Sequence, residues 1–507
     1  MSNKFLATVL FLLLLQCKAD ALIQLPALIS DHMVLQQNSN ITLWGTAEAG
    51  EKIRIDPSWT KKRYKTTAAT DGTWRVEIAT GKAGGPYFIK FSGYNAITVE
   101  DVYLGEVWLA SGQSNMEFHM EKAEGWRTGV LNYQQEMARA NFPGIRMIDV
   151  PNTVADSPRN DFAGKWEVCS PATVGNFSAV AFYFALTVNA KTGFPVGIIN
   201  ATWGGTPAES WTRKEVLESS SAFASILKRY NNALAEYPEK YEAYKKNLAA
   251  WKANTDPNKK GAPKEPMGPK HNKSPYKLYN GMIAPLLPYK LKGVIWYQGE
   301  SNVEHAWQYR KLFPALIANW RTDFRDKELP FYFVQIAPHK GQNPVIREAQ
   351  FYTWNTVPHT GMVVTTDVGD ANDIHPRNKK PVGERLARYA LHNQYGYKDV
   401  CVSGPAYTGY ETKGHFVWLD FKYDGGIKVS GIGSQGFVVA GADRRFYPAD
   451  IAFEGNRIKV WSDKVPHPVA VRYGWSNVPQ ASLFNACDLP ASPFRTDDWP
   501  VETQGID

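Results

Sequence analysis

The sequence is poor in cysteine, with 4 in 507 residues, which excludes a small fold built on a disulfide framework. No CxxC pair is present, so neither a zinc ribbon nor a thioredoxin-type centre is indicated. HExxH and the Walker A phosphate loop are also missing, and the carboxylate series Asp367, Asp370, Asp373 lacks EF-hand spacing. No motif therefore calls for a metal or a cofactor. Internal repeats and low-complexity tracts are absent as well. The formal charge is +8, but no run of five or more basic residues occurs. That is no footprint for a nucleic-acid partner, though it could suit an acidic glycan. Only Phe5 to Leu15 forms a long apolar run. It falls short of the roughly 20 residues a bilayer needs, so no transmembrane segment is expected.

That run has another use. Lys4 precedes it, and Ala19-Asp20-Ala21 follows with the small-x-small pattern cut by a signal peptidase. Residues 1–21 are thus expected to be a signal peptide, and the protein to be exported to the periplasm or secreted. Lipid anchoring through Cys17 is the alternative, but Gln16 stands where such a site needs a small residue. Export leaves Cys169, Cys401 and Cys487, enough for at most one disulfide and one leftover thiol.

Apolar residues make up 44% and charged residues 21%, a globular composition, and the length suggests two to four domains. Residues 22–100 read as a small β-sandwich. Asn40 to Trp44, Thr73 to Ile78 after an Asp71-Gly72 turn, Phe88 to Phe91 and Ile97 to Val99 are short strands at sandwich spacing. From 101 to 400, apolar runs alternate with helical segments. The strands expected there are Glu106 to Ala110, Val196 to Asn200, Gly293 to Tyr297, Phe331 to Ile336 and Met362 to Thr366. Such near-continuous runs belong to a sheet covered on both faces. One helix starts at the N-cap Ser178 and stops before Gly193. Another spans about Glu304 to Trp320, with Pro314 as a kink. The fold class is α/β with a doubly wound sheet. Residues 217–275 read as an insertion, a charged helix over Ala233 to Ala253 followed by a Lys-, Pro- and Gly-rich loop. Strand signals return in 401–507, at Phe416 to Tyr423, Arg457 to Trp461 and Pro468 to Tyr473.

Four polar or glycine-rich turns each follow one of the expected buried strands. Ser111-Gly112-Gln113-Ser114-Asn115-Met116 comes after Glu106 to Ala110, and Trp203-Gly204-Gly205-Thr206 after Val196 to Asn200. Gln298-Gly299-Glu300-Ser301-Asn302 comes after Gly293 to Tyr297, and Asp373-Ile374-His375-Pro376 after Met362 to Thr366. All four would share the carboxyl edge of one sheet, where open α/β sheets bind ligands. Ser114 can be a nucleophile there, or simply a helix N-cap. His375 can be its base, with Asp373 two residues away on the same side, or the pair can be ordinary loop residues. Glycine at 204 and 205 lets backbone approach a substrate, or makes a plain tight turn. Gln298 can offer a side-chain amide, or polar residues there can simply open the next helix.

Taken together these blocks resemble the SGNH hydrolases, and more closely the sialate O-acetylesterase family. The likeness extends to Leu278-Tyr279-Asn280-Gly281-Met282-Ile283, to Leu25-Pro26 and Asp31 to Leu35, and to Pro493-Phe494-Arg495-Thr496. It implies an O-acetyl ester hydrolase acting on sugars without a cofactor. Ser114 would be the nucleophile, His375 the base and Asp373 its orienter. The Ser114 N–H, the Gly205 N–H and Gln298 would hold the oxyanion, with Gly204 and Asn302 as fallbacks and Asn115 and Glu300 behind them. Gln298 stands where the superfamily usually has Asn.

Other readings remain open at this point. His119 is a second histidine near Ser114, though it has no Asp partner in sequence. Acetylated plant polysaccharide of the xylan or pectin type is a second substrate class. A non-catalytic glycan-binding protein is a reading of another kind, given 17 Trp and 25 Tyr to stack on sugars. For an anionic sugar, Arg377 is the nearest candidate cation in sequence. Oligomeric state leaves no signal in the sequence.

Overall fold

A computed structural model of the chain describes residues 22–256, 259–430 and 436–506. The expected signal segment and Cys17 lie outside the described residues. The architecture is mixed α/β, with a large central sheet and further β-sheets after it. In spatial order the sheet runs Thr360–Val363, Phe331–Val334, Gly293–Tyr297, Ala96–Gly112, Val196–Thr202, Phe142–Asp149 and Glu167–Cys169. The first six are parallel, and Glu167–Cys169 closes the edge antiparallel.

Val196–Thr202 and Gly293–Tyr297 are buried at every position, and the reason is visible in the side chains. Trp108 lies against Phe184 of the helix Ala179–Thr192. Trp296 pairs in register with Ser111, three residues further along the neighbouring strand, and so faces the opposite side. There it meets Phe313 of the helix Ala306–Asp323, Trp320 edge-on at 5.6 Å, and Trp211. Both faces are therefore covered. Trp296→Ala would cost about 3–5 kcal/mol as a buried cavity.

The helix termini follow their sequence signals. Ser178 accepts the Ala181 N–H, and Gly193 ends that helix at φ 72°. Pro314 lies inside Ala306–Asp323, and the charged helix of the insertion runs Ala224–Ala253, longer than its polar pattern suggested.

Ahead of the central sheet lie the strands Val34–Gln36, Asn40–Thr46, Lys52–Pro57, Tyr64–Thr67, Thr73–Ala79 and Gly84–Ser92. The 17-residue strand Ala96–Gly112 pairs with Gly84–Ser92 in its first part and with Val196–Thr202 and Gly293–Tyr297 in its second. One hydrophobic core runs continuously from these early strands into the central sheet. After Ala406, two four-stranded antiparallel sheets enclose a second, separate core that includes Val417, Leu419, Val439, Ile458, Val460 and Phe494. Cys401 and Cys487 form a disulfide there, while Cys169 is buried and free. Among the described residues no helix is long and apolar enough to cross a membrane.

Candidate active site

At the carboxyl edge of the central sheet, Gly112 has φ 136°, and a Cβ there would meet the Tyr297 carbonyl oxygen at 2.2 Å. Only glycine lets the two strands close so tightly. The chain then turns directly into the short helix Ser114–Glu117. Ser114 Oγ lies 2.8 Å from His375 Nε2, within reach for proton transfer. His119 does not line this cleft.

The His375 segment is shaped by Asp side chains. Asp370 accepts the Asn372 N–H at 2.8 Å, and Asp373 accepts the backbone N–H of His375 at 2.8 Å. The expected contact from Asp373 to the imidazole ring is therefore not the hydrogen bond formed. Its carboxylate holds the loop that carries the ring, and its charge favours the imidazolium from nearby. Trp126 covers the imidazole with ring centroids 4.5 Å apart. Burial, together with the Lys379 charge, pushes His375 down to about 4 from its ordinary 6.5. The imidazole is neutral at pH 7 and so free to accept a proton. Arg377 faces away from the cleft. Its guanidinium binds the carbonyls of Gly129 and Val130, and thereby pins the loop that bears Trp126 and Arg127.

A cleft of about 500 Å³ opens over Ser114. Its wall includes Gln113, Trp126, Arg127, Asn152, Gly204 and Gly205. Glu117, one turn along from Ser114, accepts the Gly204 N–H at 2.6 Å and pairs with Arg127 at 2.9 Å. Burial raises the Glu117 carboxyl, and Arg127 and the Gly204 amide oppose that rise. The Gly204 amide is thus already engaged and is no fallback donor. Gly205 differs. It has φ 73° with open space at its Cβ position, and its N–H has no acceptor among the described residues.

Gln298 corrects an expectation. Its side chain is 0% exposed. Its Nε2 donates to the Thr206 carbonyl and to Asn302 Oδ1, and its Oε1 accepts from Tyr309. Asn302 in turn donates to Glu209 and accepts from Ala208. Gln298 is saturated by its neighbours, Asn302 is turned to Glu209, and neither lines the cleft, so neither is placed as an oxyanion donor. Asn115 and Glu300 do come together. Asn115 donates to Glu300 at 2.7 Å and to the Ile374 carbonyl at 3.0 Å, and Lys379 donates to Asn115. One side chain thus ties the residue after Ser114 to the residue before His375. Burial pushes Lys379 down to about 7, against the pull of Glu300 and Asp373. Burial likewise raises Glu300. Sequence reasoning missed Gln113, Glu117, Trp126, Arg127 and Lys379. Of these Gln113, directly before Ser114 in the same turn, and Glu117, three residues past it on one helix, had a positional signal.

A family model described as carbohydrate esterase, sialic acid-specific acetylesterase, matches residues 269–392, which contain Asp373 and His375. A carbohydrate acetylesterase from Xanthomonas citri, known from a crystal structure, is 36% identical. The similarity covers 94% of this chain and 100% of that one, with a TM-score of 0.80. The chain belongs to the sialate O-acetylesterase family of carbohydrate esterases. Its relatives there include the sialate O-acetylesterases of Rattus norvegicus, 28% identical over 92% of this chain and 93% of the relative, and of Homo sapiens, 27% identical over 94% of each. Like them, this member of the family is an ester hydrolase.

Proposed function

We propose that this esterase removes acetyl groups from O-acetylated sugars, with O-acetylated sialic acid as substrate, through an acetyl-enzyme on Ser114. The observation that carries the reading is the 2.8 Å contact between Ser114 Oγ and His375 Nε2 at the floor of a cleft. His375, neutral at pH 7, takes the Ser114 proton as Oγ attacks the acetyl carbonyl. The tetrahedral oxyanion is held by the N–H groups of Ser114 and Gly205. His375 returns the proton to the leaving sugar hydroxyl. Water, activated by the same imidazole, then releases acetate. Asp373 keeps the His375 loop in place and favours the imidazolium formed in each step. No step calls for a cofactor.

Several further features support the finer reading. The parallel sheet with functional turns at its carboxyl edge is consistent with an SGNH-type catalytic unit over 101–400, between a β-sandwich over 22–100 and a β-rich region over 401–507. The leader pattern around Lys4, Phe5 to Leu15 and Ala21, together with a disulfide, supports export to the periplasm or the outside. Arg127 on the cleft wall offers guanidinium N–H groups beyond the one given to Glu117, and these suit a sialate carboxylate. The Glu117–Arg127 pair is also close to neutral as a unit, which keeps acetylated plant glycan in view as the second substrate.

Acetate release from O-acetylated sialic acid and from acetylated xylan, by wild type and Ser114→Ala, tests the reading. Release from sialate by wild type alone supports both substrate and nucleophile. Release from xylan alone moves the substrate to neutral glycans. No release from either by a folded protein argues for a binding role.

A further inference from the structure

The oxyanion site just described has two backbone donors and lacks the side-chain amide that the sequence assigned to it. Gln298 is sealed behind the cleft, its Nε2 spent on Thr206 and Asn302. Asn302 is spent on Glu209, and the Gly204 amide is spent on Glu117. A different amide lies on the cleft wall beside Ser114, namely that of Gln113.

The orientation of Gln113 is settled by its partners. Its Oε1 end accepts the backbone N–H of Ser301 at 3.2 Å and, more weakly, that of Gly299 at 3.5 Å. Backbone N–H groups can only donate, so the end that meets them must be the carbonyl oxygen. The NH₂ end is then the other one, and it has no acceptor among the described residues. Gln113 is only 3% exposed, so this donor is fixed rather than free to swing in solvent. It also anchors the turn after Gly293–Tyr297, the same turn from which the sequence expected the side-chain donor to come. The residue before the nucleophile reaches across to that turn and takes the place of its amide.

We infer that Gln113 is a catalytic residue, its Nε2–H donating to the oxyanion that forms on the acetyl carbon bound to Ser114 Oγ. The inference rests on the acetyl-serine mechanism proposed above. A donor preorganised in a largely buried site acts on the transition state more than on the neutral ester. Its loss should therefore fall on kcat and leave KM little altered.

Gln113→Glu and Gln113→Ala, with Ser114→Ala alongside, separate donation from anchoring. Glutamate keeps an oxygen for the Ser301 and Gly299 N–H groups and removes the donor, whereas alanine removes both. With an O-acetylated sugar as substrate and melting temperature followed in parallel, Gln113→Glu should lose about 10²–10³ in kcat. KM should stay within a few fold and the melting temperature close to that of wild type. A kcat for Gln113→Glu within threefold of wild type overturns the proposal, even if Gln113→Ala is impaired, because anchoring alone would then explain the residue. A loss confined to KM overturns it too. Acetate release that persists in Ser114→Ala would instead sink the acetyl-serine reading, and this proposal with it, by a result that the Gln113 variants alone cannot produce.

Discussion

In the middle of the central sheet, strands such as Val196–Thr202 and Gly293–Tyr297 are buried at every position and helices cover both faces, whereas after Ala406 the strands alternate. Phe416–Lys422 reads half-buried, buried, half-buried along its length. The first region shares one extensive core with the early strands and uses no cross-link. The second has a small core and adds the Cys401–Cys487 disulfide and buried ion pairs, such as Asp497 between Arg472 and Arg495. Burial alone would raise the Asp497 carboxyl, but the two guanidinium groups hold it below the usual carboxylate range. A small core gains less from burial, and cross-links make up part of the difference. The candidate site sits in the region that needs none. Ser114 and His375 hang on turns at the ends of rigid strands, and the C-terminal segment reaches that frame through many contacts, including the Trp354–Tyr423 stack and the Arg495–Glu348 ion pair. Among these, Arg347 binds the carbonyls of Ser476 and Asn477 as well as those of Ile336 and Ala337.

Four variants sharpen or break that contrast. Ser114→Ala should lower kcat by about 10⁴-fold or more with no shift in melting temperature, since Oγ supports neither core. A large loss of stability instead would mean that the site and the core cannot be separated. Arg347→Met should be the most destabilising, by about 3–5 kcal/mol, because it strands buried carbonyls on both sides of the junction. Denaturant titration reads this directly, and a cost below 1 kcal/mol would show that the two regions are coupled elsewhere. Cys487→Ser should cost about 2–4 kcal/mol and show as an earlier unfolding phase. Spared kcat would confirm that the disulfide serves the C-terminal strands alone. Trp126→Ala acts only on the site. With burial holding His375 near 4, the base form persists down to about pH 4, so the acid limb of kcat/KM should lie there in wild type. Removing the covering ring relieves the desolvation and raises that pKa. The limb should then move to higher pH by about one unit, worth roughly 1.4 kcal/mol. A wild-type limb already at 6.5 would contradict the buried environment.

The buried strands were the most legible part of the fold. Gly293–Tyr297 and Arg457–Trp461 fall where the sequence places them, and Ser178 and Gly193 bracket their helix, because cap and strand signals are local. Phe142–Asp149 escaped notice. It begins Phe-Pro-Gly, turn chemistry that hides a strand whose burial comes from its sheet neighbours and from Phe182 of the covering helix. In the site, Ser114 and His375 were readable because each follows a strand at one sheet edge. Gln298 looked available for the same reason. Its saturation depends on Thr206, Asn302 and Tyr309, contacts that a linear pattern cannot supply. Trp126 and Arg127 come from a loop held down by Arg377, a long-range link with no local signature.

The strand Ala96–Gly112 has one more consequence. At about 3.3 Å per residue its 17 residues span at most roughly 56 Å, with the early hairpins at one end and the approach to Ser114 at the other. Beyond a bulge at Asp101, where φ is 53° and the pairing with Gly84–Ser92 slips by a residue, side chains alternate along it. An insertion of a single residue near Leu104 would therefore turn Glu106 through Gly112 over to the wrong side of the sheet, and Ser114 would inherit a framing error made some 30 Å away.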